Sequence, residues 1–343
     1  MHDLALTGHA YDSHFAHASN KVMREAALPA NEKLIHLRYT TLSNVSSIDF
    51  TWQGSDFQLV FEDSSIETGK SYLIKGPVTT FIPTELLLWL SVFVGEDAVD
   101  PHREKDTRLN RERGSFKISQ KQLATFLFAA ERMEQRKWPR WRRELFRNAL
   151  IYYSVGVRSG VDMMPLNIGF FGLSLECIGN VRHGTRDKHY TLGDKRFKDY
   201  LTTRLARAKR DPAKRLMIKD FEKKFNADID LINQMRNAFY GHSLLHLKDD
   251  RKRLLYSLRQ WMTRGGHTCD FVNISFTLER LRDQVVTHSP ALYKVGLRVN
   301  RIFLFLSLGI HKSIPFAEYD FQTVGDTSTP FVGEFRGMRV RFS

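Results

Sequence analysis

One stretch constrains this chain more than any other. LNIGFFGLSLECI, Leu166 to Ile178, is apolar nearly all round. A helix of that kind has no face that suits water, so it is expected to be the central buried helix of a bundle. One charged residue, Glu176, lies within it. A carboxylate in such a place needs a partner. Two readings are open: an ion pair that orients a neighbouring helix, or a contact that positions Arg236. Cys177, beside it, reads as a small hydrophobe.

The segments before it divide into two kinds. From Lys33 to Val94 the chain reads as strands, with LIHLRYTTL, SSIDFTW, FQLVFE and SYLIKG rich in β-branched and aromatic residues. GSD at 54–56 and ETGK at 67–70 read as turns. Asp100 to Ser115 is charged without an apolar period and reads as a linker. Helices follow. Ser119 to Gln135 carries Leu123, Phe126, Leu127 and Ala130 at helical spacing. The next helix has Pro139 near its start, an expected stripe of Trp141, Leu145, Ala149, Tyr152 and Tyr153, and Arg140, Arg143 and Arg147 opposite. Further helices are expected at Lys248–Arg264, Ser275–Val286 and Ser289–Leu308, where RIFLFLSLG completes the core or a dimer interface. The fold class is therefore α+β. A β-rich domain over 1–99 and a charged linker over 100–116 precede a mainly helical domain with a C-terminal extension over 117–343.

Charge follows the same division. The chain of 343 residues has 52 Lys+Arg against 38 Asp+Glu, a formal charge of +14. Residues 1–100 hold 6 basic and 13 acidic side chains, near −7, which leaves residues 101–343 near +21. Such a split points to a part that faces nucleic acid joined to a different kind of module, although basic helices also occur in proteins that bind none. The most basic stretch, 181–224, has fifteen Lys+Arg against six Asp+Glu. Lys195, Arg196, Lys198, Arg204 and Arg207 lie there, interleaved with Tyr190, Phe197 and Tyr200. The cations suit phosphate backbones, as do Arg140, Arg143 and Arg147; the aromatics either stack on bases or anchor helices to the core.

The chemistry-bearing segment is IDLINQMRNAFYGHSLLHL, Ile229 to Leu247. Ile229, Ile232, Met235 and Phe239 set an apolar helical period, which Arg236 and Asn237 interrupt before His242. Arginine grips a phosphodiester through two hydrogen bonds, and histidine moves protons near neutral pH. Six positions on an ideal helix leave two side chains about 120° apart. With Gly241 directly before His242, the helix must end, bend or be completed by a second subunit for both groups to meet one phosphate.

Arg236, Asn237 and His242, with five residues between the arginine and the histidine, resemble the signature of the HEPN domain family. Glu176 in LSLEC resembles that family's glutamate on an earlier buried helix, and WPRWRRELFRNALIYYSVG, Trp138 to Gly156, resembles the helix before it. The resemblance covers roughly residues 130–265 and is nearest the ApeA-like branch, linked to phage defence. It implies a HEPN-like helical bundle, a metal-independent endoribonuclease acting on RNA, and a site shared across a homodimer built on the helical domain. It also implies an abortive-infection or toxin role, with a phage or host trigger sensed by the N-terminal module. Two rivals stand beside it: a non-catalytic nucleic-acid-binding protein of the same fold, and a helical scaffold in which Arg236 and His242 make internal contacts.

Other chemistries find less support. His2, His9, His14 and His17 lack the carboxylate or cysteine cluster that a metal site needs, and no metal or cofactor is expected. GKS at 69–71 lacks the upstream glycine of a phosphate-binding loop. Cys177 and Cys269 make no disulfide framework. The apolar runs at Leu86–Gly95 and Arg301–Ile310 fall short of a bilayer span of about 20 residues. With no signal-peptide pattern, a reducing cytoplasmic setting is expected.

Overall fold

The structure is a computed structural model that describes residues 28–37, 40–42, 47–62, 70–79, 81–95, 116–118, 120–159, 166–184, 189–194, 199, 225–237 and 289–308. Within these residues the architecture is α+β: an N-terminal sheet followed by a helical bundle. Strands β1 (Glu32–Leu37), β3 (Ser47–Trp52), β4 (Ser55–Glu62) and β5 (Lys70–Lys75) form an antiparallel sheet in the order β1-β5-β4-β3. Strands β2 (Thr40–Leu42) and β6 (Phe116–Ile118) pair in parallel as a second, two-stranded sheet.

Two refinements concern the strands. LIHLRYTTL is two strands in different sheets, β1 and β2. The first turn is Gln53–Gly54 rather than residues 54–56, since Trp52 pairs with Ser55 across it. Both turn residues have positive φ, 50° and 76°, the geometry that matches the twist of a two-residue hairpin. That register places Phe50 opposite Phe57 with their rings stacked 5.9 Å apart. The alternation in β3 then turns Ile48, Phe50 and Trp52 inward and Asp49 and Thr51 outward.

Residues 84–94 correct the reading of Lys33–Val94 as strands. Thr84–Val94 is a helix, α1. Leu86 to Val94 are all buried, so no periodicity marks them as helical. The punctuation does: Pro83 occupies the N-cap, and Gly95 closes the C-terminus at φ 75° with its N–H donating to the Ser91 carbonyl at 2.9 Å. Arg301 finishes this terminus. Its Nε donates to the Val92 carbonyl at 3.0 Å and its Nη2 to the Phe93 carbonyl at 2.5 Å. A cation is thereby buried at the negative end of the helix dipole.

Helices α2 (Gln120–Glu134), α3 (Arg140–Ser159), α4 (Leu166–His183), α5 (225–236) and α6 (Ser289–Leu308) complete the bundle. Trp89 of α1 packs on Phe126 of α2 and Phe146 of α3, and Phe126 meets Phe305 of α6 edge-on. On α3 the buried stripe is Phe146, Ala149, Leu150, Tyr153 and Val157. Trp141, Leu145 and Tyr152 of the expected stripe are only half-buried, so the inward face is turned by about one residue. Arg140, Arg143 and Arg147 are exposed on the other side, as expected. The core runs continuously from the sheet, through Trp52 and Tyr72, into the helices.

Helix α4 is the buried helix that its composition requires. Phe171 at its centre lies between glycines of two neighbouring helices: a Cβ on Gly156 of α3 would stand 2.9 Å from the ring, and one on Gly296 of α6 would collide with it. Ser174 Oγ donates to the Ala149 carbonyl of α3 at 2.8 Å. Asn300 Nδ2 of α6 donates to the Phe171 carbonyl at 3.1 Å. Ser174 is thus satisfied by the backbone it packs against, and the α4 backbone at Phe171 by a side chain of α6. Among the described residues, no helix is long and apolar enough to cross a membrane.

Candidate functional site

One row of α4, at i, i+4 and i+8, builds the site. Gly172, Glu176 and Asn180 share a face of the helix by this spacing. Each takes up a different piece of the chain. Gly172 makes room for the stem of Arg236, since a Cβ there would stand 2.9 Å from Arg236 Cδ. Glu176 Oε1 accepts a hydrogen bond from Arg236 Nη1 at 2.5 Å. Asn180 brackets Tyr190: its Nδ2 donates to the Tyr190 carbonyl at 2.8 Å, and its Oδ1 accepts the Tyr190 N–H at 2.6 Å.

The short segment 189–194 is thereby held against α4. Leu192 N–H donates to the same Glu176 oxygen at 3.1 Å, and Leu192 is fully buried. Asp194 Oδ2 closes the turn by accepting the Thr191 N–H at 2.8 Å. A Cβ on Gly193 would stand 3.4 Å from Asn233 Nδ2, which brings this turn beside α5 as well. Glu176 therefore fastens α4, the 189–194 turn and α5 at one carboxylate oxygen.

Opposing effects act on the Glu176 carboxyl, and burial outweighs the others. Burial pushes the Glu176 carboxyl above its ordinary range, while the Arg236 charge and the hydrogen bonds from Leu192 and Arg236 pull it back. Side-chain exposure is 15% for Glu176 and 20% for Arg236, so the pair is screened from water without being sealed. Among the described residues, Arg236 Nε and Nη2 hold no hydrogen bond. Cys177 packs against the core as a small hydrophobe, with its thiol pushed up to about 12 by burial and by the Glu176 charge.

Helix α5 presents the apolar period expected of it, with Ile229, Ile232 and Met235 fully buried. Asn237, directly after it, is half-exposed. Phe239, Gly241 and His242 lie outside the described residues, as do Lys195, Arg196, Lys198, Arg204 and Arg207. The helices expected at Lys248–Arg264 and Ser275–Val286 also fall outside them. The structure thus joins Arg236 to Glu176. Arg140, Arg143 and Arg147 stand apart from that contact on the outer face of α3. Two of these are engaged: Arg140 with Glu144 at 2.7 Å, and Arg147 with Glu85 of α1 at 2.9 Å. Tyr190 packs against the core, which favours anchoring over base stacking for that aromatic.

Gly172 and Asn180 were not singled out from sequence. Their signal was present: three non-apolar residues at four-residue spacing on a helix otherwise built for burial. Comparison with protein-family models, curated proteins and solved structures gave no match for this chain.

Proposed function

We propose that this chain is a HEPN-type, metal-independent endoribonuclease, acting as a toxin or abortive-infection effector in phage defence. The observation that carries the reading is the seating of Arg236. The side chain that the Arg-Asn-to-His motif assigns to phosphate is fixed by Glu176, with its stem laid along Gly172. A guanidinium held in one orientation stabilises charge in a transition state without reorganising. In this mechanism the ribose 2′-oxygen loses its proton to a histidine and bonds to the adjacent phosphorus. Arg236 neutralises the charge that builds on the phosphorane. The bond from phosphorus to the 5′-oxygen then breaks, with a proton supplied to the leaving oxygen. The products are a 2′,3′-cyclic phosphate and a 5′-hydroxyl. His242 is the general base or acid, and Asn237 steadies the phosphate or the imidazole. A two-fold homodimer supplies a second copy of the motif, so that Arg236 and His242 of both subunits serve one composite site. The N-terminal sheet module carries the response to a phage or host trigger.

The same ion pair favours a second reading, in which Arg236 ties α5 to α4 in a helical scaffold. Arg236→Lys separates the two. Lysine keeps a positive charge for Glu176 but loses the planar fork that holds phosphate. The nuclease reading expects a stable protein with cleavage reduced at least tenfold. Unchanged cleavage by Arg236→Lys, or wild-type protein that cleaves no RNA, favours the scaffold.

A further inference from the structure

The elbow between α2 and α3 concentrates cations that the ion pairs of the bundle leave available. Arg132, Lys137 and Arg143 are exposed, and none has an ion-pair partner among the described residues. The acidic groups nearby in sequence are already committed. Glu144 holds Arg140, Glu85 holds Arg147, and Glu131 accepts a hydrogen bond from Gln135. Glu134 is turned inward, accepting a hydrogen bond from Trp89 Nε1 at 2.8 Å.

Aromatic rings interleave with these charges. The Arg132 guanidinium lies 5.9 Å from the ring centre of Phe128, which is 60% exposed. Arg136 lies 5.5 Å from Trp138, and Arg142 lies 5.0 Å from the half-exposed Trp141. A guanidinium over a ring keeps its N–H edge for phosphate, so that a cation and an apolar platform occupy the same spot.

The elbow is also rigid enough to hold that arrangement. Gln135 N–H donates to Glu131 O, and Trp138 N–H donates to Arg136 O at 2.7 Å. Pro139 O then accepts from the N–H groups of both Arg142 and Arg143. Trp138 fixes the turn to the core by meeting Phe146 edge-on at 5.5 Å.

We propose that this α2–α3 elbow is a binding surface for single-stranded RNA, with Arg132, Lys137 and Arg143 on the phosphates and Trp141 and Phe128 against the bases. Exposed rings among cations fit a single strand, whose bases are free to stack; a duplex hides those faces. The proposal takes RNA as partner from the function proposed above, but it does not depend on cleavage.

The test uses the full chain and a short fluorescent single-stranded RNA of mixed sequence, 2′-O-methylated throughout so that it cannot be cleaved. Affinity is measured by anisotropy over a series of salt concentrations. The triple variant Arg132→Glu, Lys137→Glu, Arg143→Glu, with every change at an exposed position, is expected to bind at least tenfold more weakly. Its log–log salt slope should fall by roughly 2, because about three single-strand phosphate contacts are lost. Trp141→Ala is expected to weaken binding with the slope unchanged, since stacking releases no counterions. Unchanged affinity and slope in the triple variant, in protein with a wild-type unfolding transition, would overturn the proposal. So would tighter binding to duplex RNA than to the single strand. A third overturning result is anionic phospholipid vesicles, rather than RNA, losing affinity through the triple variant. A wild-type chain that binds this RNA through the elbow but never cleaves unmodified RNA leaves the surface standing and removes only the nuclease reading.

Discussion

Gly172 and Arg236 are in direct contact across α4 and α5, with the arginine stem occupying the space that a side chain at 172 would fill. The contact explains why a glycine, poor in helix propensity, stands in the middle of a buried helix. Without it, the Arg236 guanidinium could not lie over the helix and reach Glu176, four residues further along.

Gly172→Ala tests this relationship. The added methyl meets Arg236 Cδ at 2.9 Å, so the stem must move or the helices must part. Overpacking of this kind costs about 1–3 kcal/mol, offset in part by the better helix propensity of alanine. Urea denaturation should show a lower midpoint, and RNA cleavage should fall more than stability does. A midpoint and a rate both equal to wild type would mean that the seating of Arg236 is not set by Gly172.

Glu134 supplies a pH-dependent prediction. Burial holds its carboxyl above the ordinary glutamate value of 4.5, against the lowering effect of its hydrogen bond from Trp89. With the folded value raised, the contribution of this group to stability is full at pH values below the unfolded value and is lost as pH rises through the folded one. Glu134→Gln keeps an acceptor for Trp89 and removes the buried charge. The variant should match wild type in acid and gain stability relative to it towards neutral pH. Denaturation midpoints at both ends of that range check the sign; a variant that loses ground as pH rises would refute it.

Arg301 is expected to matter for folding rather than for chemistry. Arg301→Met removes the donors that satisfy the Val92 and Phe93 carbonyls, and leaving buried acceptors unpaired costs about 1–3 kcal/mol. The midpoint of thermal unfolding should drop, while affinity for RNA per folded molecule stays unchanged. An unaltered midpoint would show that these carbonyls find other donors.

Much of the fold was legible from residue pattern, and what was not has identifiable causes. The helix expected at Ser289–Leu308 has those bounds, Gln120–Glu134 follows the apolar period read over Ser119–Gln135, and Leu166–Ile178 lies inside the buried helix α4. Helix α1 was hidden because a segment buried on every side has no period to read; only Pro83 and Gly95 marked its ends. The inward face of α3 was misjudged because Trp141 and Tyr152 are apolar enough to count as core, yet lie at its margin. At the site, the need of Glu176 for a partner was evident from its apolar surroundings. Arg236 was named in one of its two open readings, and the structure pairs the two residues across 60 positions, a separation over which local pattern alone carries no information. The 189–194 turn escaped for a related reason: the N–H groups of Tyr190 and Leu192 that fix it in place donate to side chains of α4.

The most direct test of the nuclease account is the chemistry of the cut ends. RNA labelled at its 5′ end is incubated in EDTA with the wild-type chain and with His242→Ala, after both are shown to unfold alike. The account expects wild type to leave 2′,3′-cyclic phosphate ends without added metal. It expects His242→Ala to lose at least a hundredfold in rate, the lower range for a positioned proton-transfer group, while still binding RNA. Full cleavage by His242→Ala, or cleavage that stops in EDTA and returns with magnesium, would contradict it.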